Sequence, residues 1–348
     1  MKQITKTRTL VKNNQSSELL VINKPPSLVE INLHNMCNFK CKMCYFWKLK
    51  DKQIMPYEKL IEIIKNISKF NNNNKIIIQF MGGETLMYPE LDKAIKYANS
   101  FGFETGLVTN GSFLSKEYIE KLSYSGLSYI SISLDSMDES VHNFMRGHPT
   151  SFKMIMKALD YIEEFAPNIV VGINTLITAV NIHGLKQLSS WVKDKKIVKR
   201  LYFSILDRPL TTNLGPDWRE NTKFSYLWPH DKKVVNDAFN MLEKEIKINP
   251  KISNSINQLT DQRRYFLNPH DFIKQFGCIY GDFQVHIDPN SNVRLCTIIE
   301  DEFWIGNLKQ DSIVDLWYSK KAQEIRKKMI ECKINCIHIL GCRYDSEI

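Results

Sequence analysis

The chain's eight cysteines fall into two groups separated by more than two hundred residues. Cys37, Cys41 and Cys44 lie close together near the N-terminus, and Cys278, Cys296, Cys332, Cys336 and Cys342 occupy the last fifth of the chain. A chain of 348 residues can bury a sizeable core without crosslinks. Its first 24 residues carry Lys2, Lys6, Arg8, Lys12 and Lys24 against Glu18 and hold no apolar core of the kind a secretory signal needs. The expectation is therefore a cytoplasmic protein whose thiols bind metal or do redox work, not a disulfide framework. No apolar run approaches the roughly 18 residues of a membrane span, so no membrane partner is expected. With 43% hydrophobic and 24% charged residues, the composition excludes a disordered or fibrous chain.

Between the cysteine groups, short β-branched runs alternate with amphipathic segments. Strands are expected at Val29 to Leu33, Ile76 to Met81, Glu104 to Thr109, Tyr129 to Leu134, Val170 to Ile177 and Leu201 to Ile205. Helical spacing appears at Tyr57 to Phe70, Glu90 to Phe101, Lys116 to Ser125, Phe152 to Phe165 and Leu185 to Lys195. Six βα units give a parallel sheet with right-handed crossovers, either doubly wound or a whole or partial barrel. The periodicity lapses from Asp207 to His230, where Pro209, Gly215, Pro216 and Pro229 mark a long loop, a candidate lid carrying Trp218, Arg219 and Tyr226. Helices follow at Lys232 to Lys247 and Ile256 to Phe266. The tail reads as a hairpin, Phe283 to Ile287 and Val293 to Cys296 around Asp288-Pro289-Asn290, then helices at Ile313 to Tyr318 and Lys320 to Ile330.

The first three cysteines form C-x3-C-x2-C directly after the first strand. Asn38, Lys40 and Lys42 between them make the segment too polar for inert core thiols. Thiolates at this spacing are soft ligands for zinc or an iron-sulfur cluster. Structural zinc wants a fourth ligand, and the one local candidate, His34, precedes the motif at the wrong spacing. Three thiolates on a 4Fe-4S cluster leave one iron open to a ligand. The motif and its position resemble the signature of radical S-adenosylmethionine (SAM) enzymes.

That resemblance extends along most of the chain and implies a partial (β/α)6 TIM-like barrel of the α/β class, followed by a small C-terminal α+β iron-sulfur domain. Gly82-Gly83-Glu84 after the second strand is similar to the family's Gly-Gly-Glu motif, whose glycines admit the methionine part of SAM and whose acidic end holds its ammonium. Asn110, Ser133, Asp135, Arg146 and Asn174 stand at strand ends or positions where relatives carry cofactor contacts. Met43 departs from the pattern, because many members place an aromatic there against the adenine. The implied organisation is a basic N-terminal arm (1–27), a radical SAM barrel (28–206), a linker or lid with helices (207–274) and a tail domain (275–348).

The tail resembles the auxiliary-cluster domains named SPASM and, in shortened form, twitch. Their opening C-x9–15-G-x4-C pattern is met by Cys278 and Cys296, except that Ser291 takes the glycine position. One auxiliary 4Fe-4S cluster is implied, with Cys278, Cys296, Cys332 and Cys336 as ligands and Cys342 as rival. A zinc site is the other reading of the tail. As a free thiol, Cys342 would be a hydrogen donor, as in relatives that epimerise.

The implied activity is reductive cleavage of SAM at the first cluster and hydrogen abstraction from a substrate by the 5'-deoxyadenosyl radical. The auxiliary cluster would then assist dehydrogenation or crosslinking, and a thiol would direct epimerisation. The substrate would be a small polar molecule or a peptide, and the electron donor an external flavodoxin or ferredoxin. The N-terminal arm is short for a leader-binding domain. A net charge of +9 suits an anionic partner, but the basic residues are scattered and nucleic acid is not expected. The competing reading is a non-catalytic iron-sulfur or zinc protein that binds a partner or transfers electrons. The remaining histidines, His286 among them, lack ligand spacing and read as structural or exposed.

Overall fold

The structure, a computed structural model, describes residues 8–11, 19–70, 76–212, 214–271, 273, 277–298 and 303–341. Cys342 lies outside the described residues. Within the N-terminal arm, β1 (Arg8–Val11) and β2 (Leu19–Ile22) pair antiparallel, strands the sequence reading did not assign. The arm's end is tied to the tail by Trp317, whose indole N–H donates to the Lys24 carbonyl at 2.9 Å.

Strands β3 (Leu28–Asn32), β4 (Ile77–Met81), β5 (Glu104–Thr109), β6 (Tyr129–Ser133), β7 (Val170–Ile177) and β8 (Val198–Ile205) run parallel in sequence order. Each lies within three residues of its expected position. Alternation sets their faces. In β3, Val29 and Ile31 are fully buried outward, while Glu30 and Asn32 turn inward and are partly exposed. Helix α1 (Tyr57–Ile67) buries Leu60, Ile63, Ile64 and Ile67, one stripe at helical spacing. α2 (Leu91–Ser100) and α3 (Lys116–Tyr124) follow the next two strands, and Ser115 caps α3 by accepting from the Tyr118 N–H.

Two helices then precede β7 where one was expected. α4 (Glu139–Arg146) was missed because its eight residues are too few for a clear period, although its ends carry strong signals. Asp138 accepts from the Ser140 and Val141 N–H groups, and Gly147 closes the helix at φ 60°. α5 (Ser151–Phe165), α6 (Leu185–Asp194), α7 (Lys232–Ile248) and α8 (Ile256–Leu267) match their expected segments.

The proline-bearing segment 207–230 is not a detached lid. Trp218, Arg219, Phe224, Leu227 and Trp228 are buried, and Trp228 packs edge-on against both Trp218 and Tyr265. Arg219 lies over the Trp228 ring, 4.8 Å from its centroid, and Tyr226 remains exposed. The aromatic residues, which suggested a cover over a site, here extend the barrel's hydrophobic core.

The tail contains α9 (Tyr280–Phe283), β9 (Gln284–Ile287), β10 (Asn292–Arg294), β11 (Trp304–Asn307), α10 (Ile313–Tyr318), α11 (Lys320–Glu331) and α12 (Ile337–Gly341). Its hairpin does not stand apart from the barrel as expected. β9 pairs parallel with β3, and β10 and β11 continue antiparallel, making one nine-stranded sheet in the order β11-β10-β9-β3-β4-β5-β6-β7-β8. At the far edge, α12 lies against β8 and α8, so the tail reaches both sides of the six-stranded barrel. No helix among the described residues is long and apolar enough to cross a membrane.

Ser291 has φ 70°, the geometry the missing glycine would have supplied. An L-residue there carries a cost of about 1–2 kcal/mol. Ser291→Gly should therefore raise stability by about 0.5–1 kcal/mol, read as a higher unfolding midpoint, and Ser291→Val should lower it.

Candidate functional site

The loop after β3 is fixed from three directions. On the β4 side the strand ladder continues beyond the strands: Leu33 N–H donates to the Met81 carbonyl, Gly83 N–H to His34 at 3.1 Å and Glu84 N–H to Met36 at 2.8 Å. A Cβ on Gly83 would lie 2.1 Å from the Met36 carbonyl oxygen, and one on Gly82 would lie 2.9 Å from that of His34. These glycines thus let β4 close onto the cysteine loop itself, a requirement separate from admitting a cofactor. From the α4 side, Lys42 N–H donates to the Met145 carbonyl, and a Cβ on Gly147 would sit 2.1 Å from the Lys40 oxygen. From a third side, Leu210 N–H donates to Met43 and Tyr45 N–H donates back to Leu210, both at 3.0 Å.

Cys37, Cys41 and Cys44 are partly buried within this loop and form no disulfide. Burial pushes the Cys37 thiol up to about 11 and the Cys44 thiol up to about 12, and neighbouring thiols push the same way. Cys41 is also raised by burial, with Arg146 opposing. Thiols held this way ionise readily only with cationic compensation, which iron would supply. The donor set fits a 4Fe-4S cluster.

Arg146 and Asp135 form a two-pronged ion pair, Nε to Oδ2 at 2.7 Å and a terminal nitrogen to Oδ1 at 2.9 Å. Asp135 also accepts from the Leu176 N–H at 3.1 Å. Burial opposes the Arg146 charge, but Asp135 and the Cys41 thiol it reaches hold its protonation above the usual arginine range. The Asp135 side chain thus places Arg146 against the cysteine loop. His142 beside it is neutral, pushed down to about 4 by burial.

Glu84 is likewise held by its neighbours. Its carboxylate is 1% exposed and accepts from Thr109 Oγ1 at 2.6 Å, Asn110 N–H at 2.7 Å and Leu86 N–H at 3.1 Å. It braces β4 to β5. Burial raises its pKa and those three donors oppose the rise. The Asn110 amide donates to Asn38 Oδ1 at 2.9 Å, tying the end of β5 to the loop between Cys37 and Cys41. Ser133, at the end of β6, and Asn174, within β7, are adjacent in register and half-buried, and Asn174 accepts from Ser204 Oγ at 3.2 Å. Met43, where an aromatic was wanted, is buried at 4% exposure.

In the tail, Cys278, Cys296, Cys332 and Cys336 line one cavity, with Tyr280 and His338 on its wall. The Cys278 and Cys332 N–H groups both donate to the Met329 carbonyl, which brings the two ends of the motif together across α11. The Ile298 N–H points at Cys296 Sγ from 3.4 Å. Burial raises the Cys332 thiol and holds His338 neutral, near 3. Four thiols on one cavity suit an iron-sulfur cluster.

A four-residue strap, Asp207 to Leu210, touches both cysteine sites. Besides the Leu210 bonds beside Cys44, Arg208 donates to the Ile298 carbonyl at 2.7 Å, and the Ile337 N–H donates to Asp207 at 3.4 Å. Sequence reading missed this strap, since nothing in its composition distinguishes it from the rest of the loop. It also missed a platform beside Cys44 in which Tyr45 packs on Trp47 and Phe224. Lys48 lies over the Tyr45 and Trp47 rings, Lys223 over Tyr45 and Phe224, and Lys40 over Trp47.

Residues 31–192 match the radical SAM superfamily, and residues 278–337 match SPASM, an iron-sulfur cluster-binding domain. The chain belongs to the radical SAM enzymes that carry a SPASM domain. It is 28% identical over 308 residues to the AdoMet-dependent heme synthase of Nitratidesulfovibrio vulgaris, covering 86% of this chain and 80% of that protein. It is 22% identical to the subtilosin biosynthesis protein AlbA of Bacillus subtilis, covering 86% of this chain and 61% of AlbA. Two further curated relatives, an Fe-coproporphyrin III synthase and a nucleotide dehydratase, are matched over only 47% and 62% of their lengths. In fold it is similar to anSMEcpe with bound AdoMet (TM-score 0.67, 20% identity, 88% of this chain and 84% of that one). It is also similar to SuiB of Streptococcus suis bound to S-adenosylmethionine (TM-score 0.66, 16% identity, 88% and 68%). The family's cofactors are SAM and 4Fe-4S clusters.

Gly83→Ala and Gly147→Ala each force a Cβ into a loop carbonyl and should lower iron bound at Cys37, Cys41 and Cys44 severalfold while leaving tail iron in place. Iron analysis of each variant in a background lacking the tail cysteines checks the loss, and the same analysis in a background lacking Cys37, Cys41 and Cys44 checks that tail iron is kept.

Proposed function

We propose that the chain is a radical SAM oxidase of an organic substrate, with Cys37, Cys41 and Cys44 holding the SAM-binding 4Fe-4S cluster and Cys278, Cys296, Cys332 and Cys336 holding an auxiliary one. The observation that carries this reading is the convergence of four tail thiols on one cavity in a segment hydrogen-bonded into the barrel sheet. When bound, SAM and the first cluster supply a radical able to abstract hydrogen from an unactivated C–H bond, and the second cluster supplies an acceptor for the next electron. The chain's own part is positional. Gly83 and Gly147 let the loop seat, Arg146 places a positive charge at Cys41, and Glu84 and Asn110 fix the loop to β5. Ser133 and Asn174, half-buried and adjacent in register on β6 and β7, are the side chains we assign to contact with the cofactor.

The substrate class follows the relatives. AlbA serves subtilosin biosynthesis and SuiB has been seen bound to the precursor peptide SuiA, which supports a peptide. The heme synthase match supports a smaller molecule as second reading. Anaerobic reconstitution should load about eight irons per chain, and reduction with SAM should release 5'-deoxyadenosine. A fully loaded protein that makes none overturns the proposal.

We assign the platform of Lys40, Lys48 and Lys223 around Tyr45 and Trp47 to docking of an acidic electron donor, a flavodoxin or ferredoxin. These lysines are exposed and next to Cys44 in the chain or in space. The double variant Lys48→Glu, Lys223→Glu should slow SAM cleavage driven by flavodoxin at least tenfold at low salt and leave dithionite-driven cleavage unchanged.

A further inference from the structure

Between the barrel interior and the four-cysteine cavity runs a chain of buried polar side chains that the reading above does not use. Glu30 on β3 and His286 on β9 face each other in register, and Glu30 Oε2 lies 2.7 Å from His286 Nδ1. A carboxylate only accepts, so Nδ1 carries a proton, and the Gln284 amide nitrogen, which only donates, faces Nε2 as its acceptor. The Tyr280 hydroxyl stands 3.2 Å from Nε2, and the Gln284 amide stands 3.5 Å from it. Tyr280 lines the cysteine cavity, and its ring stacks on those of His286 and His338 at 5.7 Å and 4.0 Å between centroids. His338 in turn bonds the hydroxyl of Thr297, next to Cys296.

The pair is an expensive way to join two strands. The neighbouring outward-facing pairs of the same strands are aliphatic, Val29 with Val285 and Ile31 with Ile287, and they hold the register without desolvating a charge. Burial alone would raise the Glu30 carboxyl, and the positive charge of a protonated His286 together with its hydrogen bond lowers it below the usual carboxylate range. The inward position thus keeps an anion beside a protonatable nitrogen, both nearly out of water, with side-chain exposures of 14% and 11%.

We propose that the Glu30–His286 pair takes up a proton when the auxiliary site gains an electron, so that this wall of the barrel accepts an electron and a proton together. The inference rests on the proposed auxiliary cluster. One electron enters the four-cysteine site from a reductant, and one proton from solvent binds His286 Nε2. The Glu30 carboxylate then faces an imidazolium, and the net charge of the wall is unchanged. Other polar groups that face the imidazole are Tyr280 from α9, His338 from α12, Gln284 from its own strand and Arg294, its register partner on β10. In turnover, the proton released by an oxidised substrate would have an acceptor in the same wall as its electron.

The test uses the full chain with Cys37, Cys41 and Cys44 changed to alanine, reconstituted so that iron resides in the tail. Its midpoint potential is measured by anaerobic redox titration with EPR between about pH 6 and pH 9, a range bracketing the ordinary histidine value. The potential should fall as pH rises. His286→Gln should hold a flat potential across the range at the same iron content. Glu30→Gln, which removes the anion that favours the imidazolium, should move the pH-dependent region to lower pH, a shift that a merely structural pair would not produce. A pH-independent potential in the parent, or an unchanged slope in His286→Gln, overturns the inference and leaves the cluster reading standing. A tail that takes up no iron overturns both.

Discussion

Strand β3 is hydrogen-bonded on both sides, and the rest of the molecule is organised around that fact. Its partner β4 delivers Gly82, Gly83 and Glu84 to the loop that β3 itself delivers with three cysteines. Its other partner, β9, brings the tail and four more thiols onto the same sheet. Parallel pairing fixes register to the residue, because a slip by one would turn Val29 and Ile31 inward and Glu30 and Asn32 into the helical layer. The two cysteine sites are thereby held in one frame without a separate domain interface, and the Asp207 to Leu210 strap closes the loop between them.

Charge is distributed to suit this arrangement. The cysteine loop is buried enough that its thiols resist ionisation, and the one arginine at Cys41 is itself neutralised in part by Asp135. Arg146 alone would be a buried, unpaired cation of several kcal/mol cost, and the bidentate carboxylate offsets that cost while preserving a positive edge toward the thiols. Glu84, by contrast, directs two of its three hydrogen bonds to the end of β5 and so adds rigidity to the site.

Much of this was legible in the sequence, and the failures have physical causes. The six barrel strands and most helices could be read because each must bury one apolar face, which writes a period of two or near 3.6 into the chain. The four cavity cysteines could be read from the spacing and from the domain they resemble. Side-chain commitments could not: nothing local says that Asp135 pairs with Arg146 or that Glu84 turns toward Thr109, because both partners are many residues distant. The joining of β9 to β3 is separated by about 250 residues and leaves no periodic trace. Trp218 and Arg219 were misread for a related reason, since aromatic and proline content marks an irregular segment but not whether it is buried.

The β3–β9 pairing also orders events at the ribosome. Until Ile287 has left the exit tunnel, β3 is an edge strand with its N–H and C=O groups unpaired on one side, while β4 through β8 are already available to pair. The nascent barrel is therefore open along the very strand that ends in Cys37, Cys41 and Cys44, and it shuts only when the last part of the chain arrives. A chain cut short before β9 therefore leaves the ribosome with one side of β3 unpaired, an edge prone to pair with another chain.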